Sequence, residues 1–352
     1  MNELEIFAVR LKNARLMKGF SMDELVDKMG KTVSKMTISK YEKCQLVPNS
    51  TVLISLSEAL NQPVDYFFRP FTLSVESVKF RKKKSNLSAK QEKSIRERVI
   101  DLIERYINIE EICNDSVKFA SPFYKKISSA AQIKDSAIEL RRIWNIGNDG
   151  IVNVIDLLEE RGIKVMEIDE LTSFDGLSSM VNEVYPVIIL NKNLCSERKR
   201  FTALHELGHL IFDFDDSVSE KEEEKFCNLF ASEMLILESV FKSLVDSSRH
   251  DISYQELYSI QMQYGISCDA LMYKACDCEI ITESRKRYYF MKKNKNTVFK
   301  ELVEHSVYPN EISTRFKRLV YKALSSEFIT ISKASVLLHQ SVERVREDLA
   351  LV

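Results

Sequence analysis

Only eight glycines and six prolines punctuate the 352 residues of this chain. Both residue types end or bend regular elements, and an all-β sandwich or barrel needs many turns, so their scarcity favours long uninterrupted segments. Leu, Glu and Lys, which are abundant here, lose little side-chain freedom on entering a helix. The fold class expected is therefore mainly α. With 45% hydrophobic and 29% charged residues, the chain can bury a sizeable core and does not match a disordered or collagen-like composition. Its length suits two or three domains.

The total charge says little about partners, because 51 Lys and Arg face 52 Asp and Glu, a net charge of −1. No stretch approaches the roughly 20 apolar residues that span a bilayer, so no membrane partner is expected. The opening MNELEIFAVR carries charges where a signal peptide needs an apolar core, and the seven cysteines are odd in number and scattered. A cytoplasmic chain with reduced thiols is the expectation. Cys276 and Cys278, one residue apart, give only a weak metal signal. His250, His305 and His339 are expected at the surface and Trp144 in the core.

Periodicity divides the chain. Over residues 1–70, Leu4, Phe7, Leu11 and Ala14, then Met22, Leu25, Val26 and Met29, recur at helical spacing. Ser21 and Glu24 fit a capping box, and Gly30 fits the end of that helix. Residues 71–115 read as a basic linker and a connecting helix. Nine Lys or Arg against two Glu between Lys79 and Arg98 leave an excess of seven positive charges, and Ile95, Val99, Leu102, Ile103, Tyr106 and Ile109 follow at helical spacing. Residues 116–249 should form a small α+β unit. Ser136 and Glu139 suggest a capping box, helices are expected near 136–146 and 151–161, and the runs GIKVMEI, LSSMV and YPVIIL read as short strands. Residues 250–352 look helical throughout.

The residues richest in chemistry are His205, Glu206 and His209 in RFTALHELGHLIF. Histidines at i and i+4 share one helical face, so their imidazoles can converge on one ion while the adjacent Glu addresses a water bound there. Neutral imidazoles suit Zn²⁺, an open position holds a water made more acidic by the metal, and a carboxylate can take its proton. A third ligand is expected from the next helix, where Glu220, Glu222, Glu223, Glu224 and Glu233 are all candidates by spacing.

Near the N-terminus, SMDELVDKMGKTVSKMTISKYEK carries a helix, a turn after Gly30 and a second helix from about Ser34. Lys35, Met36, Thr37, Ser39 and Lys40 are exposable on that second helix while Ile38 and Tyr41 face inward, the pattern of a helix-turn-helix reader of double-stranded DNA.

These motifs carry two resemblances. RFTALHELGHLIF followed by EKFCNLFASEMLIL resembles the ImmA/IrrE family of zinc-dependent metallopeptidases, and the likeness extends upstream through RRIWNIGNDGIVNVIDLLEERGIKV, FDGLS and YPVIILNKN. It implies a zincin-like core with Zn²⁺ held by His205, His209 and Glu224, and Glu206 as catalytic base. Cys227 stands where that family usually has Ala, Gly150 where Pro is common, and Ile236–Leu237 where Met-Pro is frequent. Residues 6–68 resemble the Xre/Cro-type repressors, with ISKYE and VLISLSEALNQPVDYFF as the matching runs, although Cys44 replaces the usual Gly. That resemblance implies that Lys35, Met36, Thr37 and Lys40 face the major groove, with Ser21 and Ser34 near phosphates.

Together they imply a DNA-binding transcriptional regulator carrying a zinc metalloendopeptidase, whose protein substrate would be a repressor or another DNA-associated partner. A homodimer would suit paired half-sites. The alternatives are a regulator with a non-proteolytic sensor domain and an antitoxin-like binding protein.

Overall fold

The computed structural model describes residues 2–71, 88–123, 126–169, 174–246 and 249–350. The Arg81–Lys84 run of the expected basic linker lies outside the described residues. Among those described, the elements in chain order are α1 (Glu3–Met17), α2 (Met22–Lys28), α3 (Lys35–Glu42), α4 (Ser50–Leu60), a 3₁₀ turn (Val64–Phe68), α5 (Ala89–Cys113), β1 (Lys126–Ile127), α6 (Ala130–Ile143) and α7 (Val154–Glu160). There follow β2 (Lys164–Ile168), β3 (Gly176–Val181), β4 (Tyr185–Asn191), α8 (Ser196–Ile211), β5 (Asp213–Phe214), α9 (Glu220–Leu235), α10 (Glu238–Val245) and α11 (Tyr254–Tyr264). The last are α12 (Cys268–Asp277), α13 (Glu283–Lys295), α14 (Thr297–Glu304), α15 (Arg315–Ser325), α16 (Ile331–Leu338) and α17 (Val342–Ala350). The fold is mainly helical with a small α+β core.

Two compact units divide these elements. One contains Met1–Val117, Val181–Glu183 and Thr314–Val352, and the other Lys118–Met180 with Val184–Ser313. The end of the chain therefore groups with its beginning.

In the first unit, Phe7, Leu11, Leu25, Ile38, Leu56, Leu60 and Phe67 form the core of the four-helix head. Ser21 and Glu24 form the expected capping box, and Gly30 follows α2 with φ +64°. Arg15 makes a bidentate pair with Glu42 (2.6 and 2.8 Å), which fastens α3 to α1. Cys44 adopts φ +58°, a left-handed conformation that the usual Gly takes without steric cost.

Helix α5 is the hub of this unit. Arg10 of α1 pairs with Glu104 (2.7 Å), Arg69 with Asp101 (2.5 Å) and Glu104 (3.2 Å), and Arg105 with Asp101 (3.0 Å). At the other end Arg315 of α15 pairs with Glu110, and Arg105 donates to the carbonyl of Leu337 in α16. His339 is exposed, as expected, yet its Nε2 lies 3.6 Å from Asp101 Oδ2. It ends α16 in the left-handed conformation, which aims its ring toward α5. His250 and His305 are exposed, and Trp144 is buried.

The second unit contains a three-stranded sheet in the order β2-β4-β3, with β2 and β4 parallel in the register Lys164↔Val187 to Ile168↔Asn191. Two-residue strands β1 and β5 also pair in parallel, too short to leave a sequence signature. Helix α6 starts six residues before the expected position, because Ser129 and Gln132 form its capping box. Ser136 lies inside the helix and Glu139 pairs on its surface with Arg142. Helix α7 starts at Val154, capped by Asn153. Gly150, where Pro would be common, presses its backbone so closely on the carbonyl of Gln263 that no β-carbon fits.

Residues 305–314 interrupt the helical C-terminal region with an irregular, non-helical segment. Its Glu311 is buried, pairs with Arg200 of α8 and accepts the backbone N–H groups of Val154 (2.9 Å) and Ile155 (3.3 Å). The start of α7 is thereby tied to the helix that carries the histidine pair.

Burial alone would raise the pKa of Asp101, but Arg105, His339 and Arg69 outweigh it and hold the carboxyl well below the usual carboxylate range. A depressed native pKa gives stability that is fully present above the unfolded-state value and is lost progressively as pH falls from there through the folded one. Asp101→Asn should therefore lower unfolding stability at neutral pH, by about 3–5 kcal/mol for breaking a buried charge cluster. Urea unfolding of both proteins at pH 7 checks this, and the difference should shrink in strong acid.

Candidate functional site

Helix α8 is buried along almost its whole length, so His205, Glu206 and His209 sit at 7%, 1% and 7% exposure. Leu204, Leu207 and Ile211 anchor its back in the core, and Phe230, Ala231 and Met234 of α9 pack in the same cluster. The helices approach closely at Gly208, where a β-carbon would stand 3.2 Å from Cys227 Sγ and 3.3 Å from Phe230 Cδ1.

The facing helix brings Glu224 to the two histidines. His205 Nε2 and His209 Nε2 lie 3.2 Å apart, Glu224 Oε2 is 3.3 Å from the first and Oε1 is 3.1 Å from the second. Ligands at about 2.0–2.1 Å from a tetrahedral zinc are themselves about 3.3 Å apart, so this spacing and donor set fit the ion. His205, His209 and Glu224 are the one group of three or more potential ligands brought together among the described residues. Glu224 is 43% exposed, which leaves that side of the centre open to solvent.

Two of the other acids that spacing left open are engaged elsewhere. Glu233 is buried against Lys274 (2.5 Å) and accepts the N–H of Glu238 (2.8 Å), while Glu222 folds back on Ser219 at the start of α9. Cys276 and Cys278 join no ligand cluster among the described residues: burial pushes the Cys278 thiol up to about 11, and the Cys276 thiol lies 3.3 Å from a carboxylate oxygen of Glu283.

Around the centre are groups to which the sequence assigned no role. Ser178 of β3 donates to Glu206 Oε2 at 2.8 Å, Asn228 Oδ1 lies 2.9 Å from His205 Nδ1, and Cys227 Sγ lies 3.4 Å from His209 Nδ1. The runs FDGLS and EKFCN contain them, but only the tertiary pairing of β3 and α9 with α8 reveals what they touch.

In the head, Ser34 caps α3 through the N–H of Thr37 (3.2 Å), and Ser21 caps α2 through that of Glu24 (3.1 Å). Both hydroxyls serve the helix ends to which phosphates were expected to come. Lys35, Met36 and Lys40 are exposed, with Met36 at 69%, and Thr37 and Ser39 are half-buried, while Ile38 and Tyr41 are buried. Lys35 pairs across the turn with Asp23 (2.6 Å), both side chains exposed. One polar face of α3 is thus free of the core. No described helix is long and apolar enough to cross a membrane.

Two known families match the chain. Residues 11–67 fit the helix-turn-helix family, and residues 158–275 fit peptidase M78, described as an IrrE N-terminal-like domain. No curated protein matches.

If the three ligand atoms bind one ion, purified protein should contain about one zinc per chain, and His209→Ala and Glu224→Ala should each lose most of it while remaining folded. Atomic-emission metal analysis beside circular dichroism checks this; full zinc content in both variants would refute the ligand set.

Proposed function

We propose, for a chain that joins a helix-turn-helix DNA-binding unit to an IrrE-like peptidase domain, that it regulates transcription and cleaves a protein partner with Glu206 at a zinc centre formed by His205, His209 and Glu224. The observation that carries this reading is the convergence of those three ligand atoms beside a buried carboxylate that is not among them. Zinc bound there would acidify a water and polarise the carbonyl under attack.

The remaining chemistry falls to the chain's own side chains. Glu206 takes the proton of the attacking water and delivers it to the leaving nitrogen as the peptide bond breaks. Ser178 donates to one of its carboxylate oxygens, Oε2, and so holds the orientation of the carboxylate. The core behind α8 keeps bulk water from that side of the site.

The head would place Lys35, Met36, Thr37, Ser39 and Lys40 toward the major groove, with the N-termini capped by Ser21 and Ser34 near the backbone. A substrate associated with DNA, such as a repressor, would be brought to the peptidase by the same binding event. We place the protein in the cytoplasm, acting as a homodimer on paired half-sites.

Glu206→Gln should reduce cleavage by about 10²–10⁴-fold, the usual contribution of a general acid–base, while keeping zinc and DNA binding. Sequencing new protein N-termini in cells that express either form checks this: termini that appear only with wild type support cleavage, whereas identical sets support a non-proteolytic regulator. On duplexes selected from random sequence, Lys40→Ala should weaken binding and lower the salt slope by about 1 if Lys40 meets a phosphate. Unchanged affinity and slope would remove Lys40 from the interface.

A further inference from the structure

We infer that Asn228 and Cys227, consecutive on α9, are positioning residues that set which ring nitrogen of each histidine faces the metal. The inference rests on the zinc reading above and extends it to residues that do not themselves bind the ion.

A neutral imidazole carries one proton, so Nε2 can bind a metal only when Nδ1 holds the hydrogen, and that hydrogen is best placed opposite an acceptor. Asn228 Oδ1 lies 2.9 Å from His205 Nδ1 and Cys227 Sγ lies 3.4 Å from His209 Nδ1, the latter within hydrogen-bond range for sulfur. Both Nε2 atoms then turn toward each other and toward Glu224. One helical turn supplies all three functions: Glu224 at i is a ligand, while Cys227 at i+3 and Asn228 at i+4 each meet one histidine, as side chains on one face of a helix must.

The sulfur can reach its place because position 208 lacks a β-carbon, which would stand 3.2 Å from it. Cys227 is fully buried, so the thiol meets the imidazole away from water. Where the resembling family usually has Ala, this chain places a polarisable acceptor against the second metal ligand. Outer partners of this kind fix ring orientation and raise ligand basicity, and their loss commonly costs about 10–100-fold in metal affinity.

The test is zinc affinity measured by chelator competition, with metal-free thermal unfolding as the control for folding. Asn228→Ala and Cys227→Ala should each weaken zinc binding by about 10-fold or more. Asn228→Asp should bind at least as tightly as wild type, because a carboxylate strengthens the same contact. Cys227→Ser, which restores an acceptor, should recover most of the loss caused by Cys227→Ala. A purely structural role would not make Asp equal or better than Asn. Long-range ¹⁵N–¹H spectra of the zinc-loaded wild type should show the proton of both rings on Nδ1. Affinities of both Ala variants within twofold of wild type, with no effect of Asp, would overturn the inference and leave the zinc reading standing. A wild-type protein that binds no zinc would overturn both.

Discussion

Two imidazoles on one helix share an ion usefully only if a second helix comes near enough to complete the ligand set, and Gly208 sets that distance here. A β-carbon at this position would stand 3.2 Å from Cys227 Sγ and 3.3 Å from Phe230 Cδ1, so those side chains would have to give by a few tenths of an ångström. The same approach brings Glu224, Cys227 and Asn228 to the histidines. It is sustained by Leu204, Leu207, Phe230, Ala231 and Met234, all buried in one cluster. Fully burying a large apolar side chain contributes about 1.5–3 kcal/mol, so the pairing is driven by dispersion and burial rather than by the polar groups of the centre.

The first unit is organised on a different principle. Its central helix α5 is bordered by charges on both sides: Arg10 and Arg69 meet Asp101 and Glu104 from the head, and Arg315 meets Glu110 from the end of the chain. Buried ion pairs give less net stability than apolar packing of the same volume, but each is costly to break singly. Such a network specifies how the head, α5 and the closing helices fit together. Arg15 and Glu42 do the same within the head, so the exposed face of α3 is held by a bidentate contact to α1.

How much of this was legible depended on how local each signal is. The histidine pair and the capping box of Ser21 and Glu24 were readable because their partners lie three or four residues away. Glu224 could not be chosen from spacing among five acids; the family resemblance singled it out, and the structure brings it, and not Glu222 or Glu233, to the histidines. Ser136 and Glu139 have the spacing of a capping box yet lie inside α6, because Ser129 and Gln132 start that helix earlier with an amide in place of a carboxylate. The partners of His339, Ser178, Asn228 and Glu311 come from elements 28 to 238 residues away or from a facing helix, and no periodicity encodes such pairings. The non-helical segment at 305–314 was hidden for the same reason, since its buried Glu311 looks like any surface acid in the sequence.

The central claim is that His205, His209 and Glu224 are the protein ligands of one zinc ion. X-ray absorption at the zinc edge of the purified protein tests it most directly. The account predicts two imidazole nitrogens and additional oxygen at about 2.0–2.2 Å, with no sulfur in the coordination shell. A sulfur scatterer at about 2.3 Å would contradict it by placing a cysteine in the ligand set, and the absence of imidazole scattering would remove the histidine pair from the centre.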